Sequence, residues 1–158
     1  MTRAPRSLAE ILTDAQAGDP QAQYELAEAF ATGDGAKEDL VLAHKYYAMA
    51  SSNGHPDAIY ELAWMNLKGE GMKSPNIRYA HRLFRRAAAL GSTDSALVLG
   101  EGYLFQKSGL RRNKRGAVKY LLMALALGNK RAATLIADGL GEKGWISLEM
   151  FRNVLSKW

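Results

Sequence analysis

A repeat of 36 to 37 residues constrains this chain more than any other feature of it. Ala43, Ala80 and Ala117 follow one another at steps of 37, as do Ala50, Ala87 and Ala124, and Gly54, Gly91 and Gly128. The earlier markers step by 36, from Ala22 to Ala58, Leu26 to Leu62, Gly33 to Gly69 and Gly35 to Gly71, so the second copy has one more residue in its inner loop. Within residues 55–91, two amphipathic helical patterns, about 56–68 and 75–90, flank a turn carrying Gly69 and Gly71, and Gly91 stops the second. The copy is a helical hairpin. One hairpin of this size cannot bury its apolar face, whereas stacked hairpins bury a continuous one, so the period predicts a solenoid whose surface is used for binding.

In chain order, the sequence reads as one repeat domain over 1–158. Ser7 and Glu10 make a capping box for an N-terminal cap helix over 7–18, with Leu8, Ile11, Leu12 and Ala15 on one side. Full copies occupy 19–54, 55–91 and 92–128, and a partial fourth occupies 129–140. An amphipathic segment over 147–158, with Leu148, Phe151, Val154 and Leu155, is predicted to cap the other end. Asp19-Pro20, His55-Pro56 and Ser74-Pro75 each read as a capping position followed by proline in the first helical turn. The third copy has Gln106 and Ser108 where the others have glycine, and its inner loop, QKSGLRRNKRG, reads as longer in character and basic.

Composition removes several alternatives. With no Cys, neither disulfides nor thiolate-held metal explain the fold's stability. No run of about 18 apolar residues is present to insert in a membrane, and the N-terminal stretch lacks the apolar core of a secretory signal, which leads to an expected cytoplasmic location. The formal net charge of +5 hides a division: residues 1–71 hold 5 Lys+Arg against 11 Asp+Glu, and residues 72–158 hold 16 against 5. An acidic half precedes a basic one.

The string AQYELAEAFATGDG (22–35), with Asp39, Ala43, Tyr46, Tyr47, Ala50 and Gly54, resembles a Sel1-like repeat, a relative of the tetratricopeptide repeat. The second copy matches through AIYELAWMNLKGEG, Ala80, Phe84, Ala87, Ala88 and Gly91, and the third through Leu99, Gly100, Tyr103, Ala117, Tyr120, Ala124 and Gly128. Asn66 departs from the pattern at a usually aromatic position. The resemblance implies an all-α fold, a right-handed superhelix of antiparallel helix pairs. It also implies a non-catalytic adaptor or scaffold that holds a partner protein or peptide on its concave face.

If first helices line that face, it carries Tyr24 and Glu28 in copy one, Tyr60, Trp64 and Lys68 in copy two, and Glu101 and Phe105 in copy three. This is an aromatic stripe edged with carboxylates. Trp64 and Phe105 are the expected anchors, because aromatics concentrate binding energy when a partner desolvates them, whereas Tyr24 and Tyr60 also fit a packing role against the next hairpin. The second helices and the third inner loop carry a basic patch of Arg78, Arg82, Arg85, Arg86, Arg111, Arg112, Lys114, Arg115 and Lys119. That patch would attract an acidic protein or a nucleic acid, the former more readily, since the patch shows no recognised nucleic-acid motif. No histidine pair has the spacing of a metal-binding helix, the paired glycines lack the strand and the GK[ST] ending of a phosphate loop, and no catalytic constellation emerges. The chain is therefore expected to be neither an enzyme nor a metal or cofactor protein.

Two function classes stand. The first is a protein-binding adaptor, whose job as scaffold, bacterial effector partner or immunity-type inhibitor the sequence leaves open. The second is a nucleic-acid-associated accessory protein working through the basic C-terminal half. A monomer is expected.

Overall fold

A helix leaves its first N–H groups and last C=O groups without partners inside the helix, and this chain supplies partners at the repeat period. The computed structural model describes residues 6–140, 144 and 146–156. Among the described residues there are nine helices and no strand: α1 (Leu8–Gln16), α2 (Pro20–Thr32), α3 (Leu40–Ser52), α4 (Pro56–Lys68), α5 (Ile77–Ala89), α6 (Thr93–Phe105), α7 (Lys114–Ala126), α8 (Lys130–Leu140) and α9 (Leu148–Leu155). The chain is all-α, an α-solenoid of consecutive helix pairs. Each of α2 to α7 is 13 residues long.

First helices of successive copies begin on Asp19, His55, Ser92 and Asn129. Their side chains accept from the N–H groups of Ala22 (2.6 Å), Ala58 (3.3 Å), Ser95 (3.2 Å) and Ala132 (3.0 Å). Second helices begin on Asp39, Asn76 and Asn113, whose side chains accept from Leu42 (2.9 Å), Tyr79 (3.1 Å) and Gly116 (3.0 Å). The backbone N–H of the same three residues donates back to Phe30, Asn66 and Tyr103, at 2.9, 2.7 and 3.0 Å, which closes each inner loop onto its own first helix. Ser74 is thus not the cap that its neighbour Pro75 suggested. Helix α5 starts at Ile77 behind Asn76, and Pro75 instead lies against Gly69, where an added Cβ would meet its ring at 3.0 Å.

The third inner loop, 106–113, corresponds in length to the second, 69–76, and is not longer. Gln106 and Ser108 both adopt φ 57, taking the left-handed conformation that Gly69 and Gly71 supply in copy two. The loop keeps its turn at a cost of about 1 kcal/mol per side-chain-bearing residue in that region.

Helix contacts are made by small residues in phase. Ala22, Ala58, Ser95 and Ala132 are fully buried, as are Ala43, Ala80 and Ala117, and Ala50, Ala87 and Ala124. Leu26, Leu62, Leu99 and Ile136 fill the space between them. Overpacking at any of these alanines with Leu should cost about 1–3 kcal/mol.

The chain forms two compact units, Met1–Leu83 and Phe84–Trp158. In the first, α1 packs on α2, α2 on α3 and α3 on α4; in the second, α6 packs on α7, and α7 on α8 and α9. The capping box of α1 is formed as expected, Ser7 and Glu10 each bonding the other's backbone. Ala15 is buried with Ala22 and Leu26, Ile11 packs against them, and Leu8 and Leu12 stay exposed because α1 serves one neighbour with one stripe. Of the C-terminal apolar residues, Leu148 is exposed. Trp145, Trp158 and the side chains of Phe151, Val154 and Leu155 lie outside the described residues.

Candidate functional site

The face of the first unit built from α2 and α4 collects most of the expected aromatic stripe. Residues four apart on a helix are neighbours, so Tyr60, Trp64 and Lys68 line up along α4. The Tyr60 and Trp64 rings meet edge to face at 6.3 Å, and the Lys68 ammonium lies 6.0 Å from the Trp64 ring centroid while pairing with Glu70 at 3.3 Å. With Glu61 and Met65 these residues border an open depression of about 330 Å³. Met65 and Glu70 are additions to the expected residues, and helical spacing alone did not place Glu70 there.

Tyr24 has a different job from Trp64. Its ring stacks on His55 (4.5 Å, 10° between planes) and tilts against Tyr47 (5.8 Å), and its hydroxyl donates to Glu28 at 2.8 Å. Burial, then the bond to Glu28, pushes the Tyr24 phenol well above its ordinary range; burial does the same to Tyr47. His55 is held on both nitrogens: Nδ1 accepts from Ala58, which leaves the proton on Nε2 to reach Gln21 Oε1 at 2.9 Å. Gln21 in turn donates to Glu25, which together with Asp14 holds Arg6. Tyr24 and His55 therefore join the first copy to the second.

Carboxylates crowd this face. Glu61 on α4 is half-buried; that burial, and next the charge of Glu28 on α2, pushes its carboxyl above the ordinary carboxylate range, with Asp57 and Glu70 adding to the repulsion and Lys68 opposing it. The outcome is an aromatic-walled depression of negative potential.

Behind it, a polar contact replaces the aromatic that Asn66 displaces. Asn66 is buried, and its side-chain amide donates to Leu62 O at 2.8 Å, which fixes which end of the amide faces His44 Nε2, at 3.3 Å. His44 thus accepts through Nε2 and is neutral, and burial pushes its pKa down. Only the odd residue at 66 signalled this pair.

The other expected site residues are placed unit by unit. In the second unit Glu101 accepts from Arg131 Nε, so α6 spends that carboxylate on α8. Phe105 is 48% exposed, with the Lys107 ammonium 5.3 Å from its ring. Of the basic patch, Arg78 and Arg82 belong to the first unit, Arg82 lying over Tyr79 at 5.2 Å. In the second unit Arg85 donates to the Tyr103 hydroxyl at 3.0 Å, Tyr103 stacks on Tyr120 at 5.9 Å, and Lys119 covers Tyr120 at 5.4 Å. Tyrosines thus lie among these charges in space, and Tyr79, between Arg78 and Arg82, does so in the sequence as well. Arg86, Arg111, Arg112, Lys114 and Arg115 are exposed. Among the described residues no group of three or more His, Asp or Glu side chains is placed to hold a metal ion, and no helix is long and apolar enough to cross a membrane.

Comparison with known proteins agrees with the fold of consecutive helix pairs. The chain is 35% identical over 91 residues to chitin synthase regulatory factor 1 of Schizosaccharomyces pombe, a match covering 56% of this chain and 20% of that protein. The chain therefore spans about a fifth of that relative's length. Among solved structures, a Sel1 repeat protein from Oxalobacter formigenes superposes with a TM-score of 0.77 at 24% identity, over 85% of this chain and 55% of that one. A protective antigen present in uropathogenic Escherichia coli strains, displaying an SLR fold, superposes with a TM-score of 0.78 at 24% identity, over 85% of this chain and 28% of that one. The profile of the Sel1 repeat matches residues 20–55, 56–92 and 93–129, which are the helix pairs α2–α3, α4–α5 and α6–α7. With most of its length in three such copies, the chain belongs to the Sel1 repeat family.

Proposed function

We propose that this protein is a non-catalytic adaptor that holds a partner protein through the aromatic face of its first helices, with Trp64 as the principal contact of the first unit and Phe105 a separate contact of the second. The observation that carries this reading is the open depression beside Trp64, where an indole and a tyrosine ring stand part-exposed at a surface instead of inside a core, with the buried Met65 in its lining. Sel1 repeats generally mediate protein–protein interaction, and the fission-yeast relative is named a regulatory factor of an enzyme, which accords with acting through binding. Affinity capture from the native cell, comparing wild type with Trp64→Ala and Phe105→Ala, tests it. A hot-spot aromatic should cost about 2 kcal/mol of binding when truncated while helicity is retained. Capture unaffected by both substitutions would remove the proposal.

A second reading is favoured by one observation, the Tyr103–Tyr120 stack set among Arg85 and Lys119, since bases stack on aromatic rings flanked by cations. It makes the protein a nucleic-acid accessory. Purified protein with an elevated 260 to 280 nm absorbance ratio that falls on nuclease treatment would favour it over the first.

A further inference from the structure

We infer that the depression bordered by Tyr60, Glu61 and Trp64 takes a cationic side chain from a basic protein segment, in the position now held by the chain's own Lys68. This deepens the adaptor reading and rests on it. Lys68 shows the chemistry the depression accepts: an ammonium at the face of an indole and against a carboxylate, 6.0 Å from the Trp64 centroid and 3.3 Å from Glu70. The internal pair is a weak hold. Both side chains are exposed, at 57% and 39%, and exposed ion pairs contribute little in water, so an incoming lysine or arginine displaces it readily.

The charge around the depression selects for cations. Glu28, Asp57 and Glu70 all act against the charge of Glu61, and Lys68 is the cation that opposes them there. A partner's cation seated beside Glu61 relieves that repulsion, while a nucleic acid would bring phosphates to a surface already carrying four carboxylates. An apolar side chain fits no better, since covering these carboxylates without a counter-charge strands them from water. The aromatic walls then add to the electrostatic preference, because a cation over Trp or Tyr is attracted to the ring face.

The test uses the full chain and a fluorescein-labelled octapeptide of alternating Lys and Gly, followed by anisotropy, with the corresponding Glu–Gly peptide as control. Wild type should bind the basic peptide saturably and the acidic one not at all. Trp64→Ala should weaken binding about tenfold. Glu61→Gln, which keeps the shape and removes the charge, should weaken it several-fold, and Lys68→Gln should tighten it by removing the internal competitor. Equal binding of the two peptides, unchanged affinity in both Trp64→Ala and Glu61→Gln, or weaker binding in Lys68→Gln overturns the inference. Capture from the native cell separates this from the broader reading. A partner retained equally by wild type and Glu61→Gln sinks the cation site and leaves the adaptor standing; a wild-type chain that captures no protein removes both.

Discussion

At the scale of single residues, Gly71 and Gly35 occupy equivalent places in the sequence and unequal ones in space. Both have positive φ, 72 and 76, so alanine at either is strained by about 1 kcal/mol. At Gly71, however, an added Cβ would come within 2.1 Å of the Leu40 carbonyl oxygen and 3.0 Å of His44 Cβ, whereas at Gly35 it meets nothing within 4 Å. Gly35→Ala should therefore cost about 1 kcal/mol and Gly71→Ala at least about 3, read by urea unfolding. The neighbouring His44 gives a pH dependence of known sign. Its pKa is depressed by burial in the folded protein, so on acidification the unfolded chain takes up the proton first. The stability it contributes is fully present above about pH 6.5 and is lost as pH falls through the depressed folded value. His44→Gln retains an acceptor for Asn66 and should flatten the loss of stability on acidification in unfolding curves taken from pH 7.5 to 5; an unchanged pH dependence would assign that loss to other groups.

At the scale of helices, much of the fold was legible because its punctuation is chemical. Acceptor side chains open the helices, and the expected starts at Asp19 and His55 are the observed ones. Ser74-Pro75 misled because a serine before proline is a good local signal, while the period itself pointed elsewhere: Asp39, Asn76 and Asn113 are spaced by 37, and all three cap. Local pattern and repeat phase disagreed, and the phase was right, since the inner loop must return its N–H to the first helix at one distance. Asn76→Ala should accordingly cost about 1 kcal/mol and Ser74→Ala close to nothing, by thermal or chemical unfolding. The depression beside Trp64 was legible in outline, since spacing along α4 brings Tyr60, Trp64 and Lys68 to one side. Glu70 was not, because where it points depends on the turn after Gly69 and not on helical period. The His44–Asn66 bond was equally hidden, as it joins residues of different copies.

At the scale of the whole molecule, the first unit carries 8 Lys+Arg against 11 Asp+Glu and the second 13 against 5. Opposite net charges give two copies of the chain a reason to attract one another. Exposed charge pairs are worth about 0–1 kcal/mol each and are screened over about 8 Å at physiological salt, so the attraction is weak. Sedimentation across a salt series should show a monomer at micromolar concentration in ordinary salt and association only at low ionic strength. A dimer indifferent to salt would require buried apolar surface instead. The joints between copies have a further consequence for how such a chain changes over generations. Gly54, Gly91 and Gly128 each stand where an added Cβ would meet nothing, and on either side each copy carries its own start and stop signals. A recombination at these glycines inserts or removes 37 residues without orphaning a helix end, so copy number is a variable that inheritance can alter here at little structural cost.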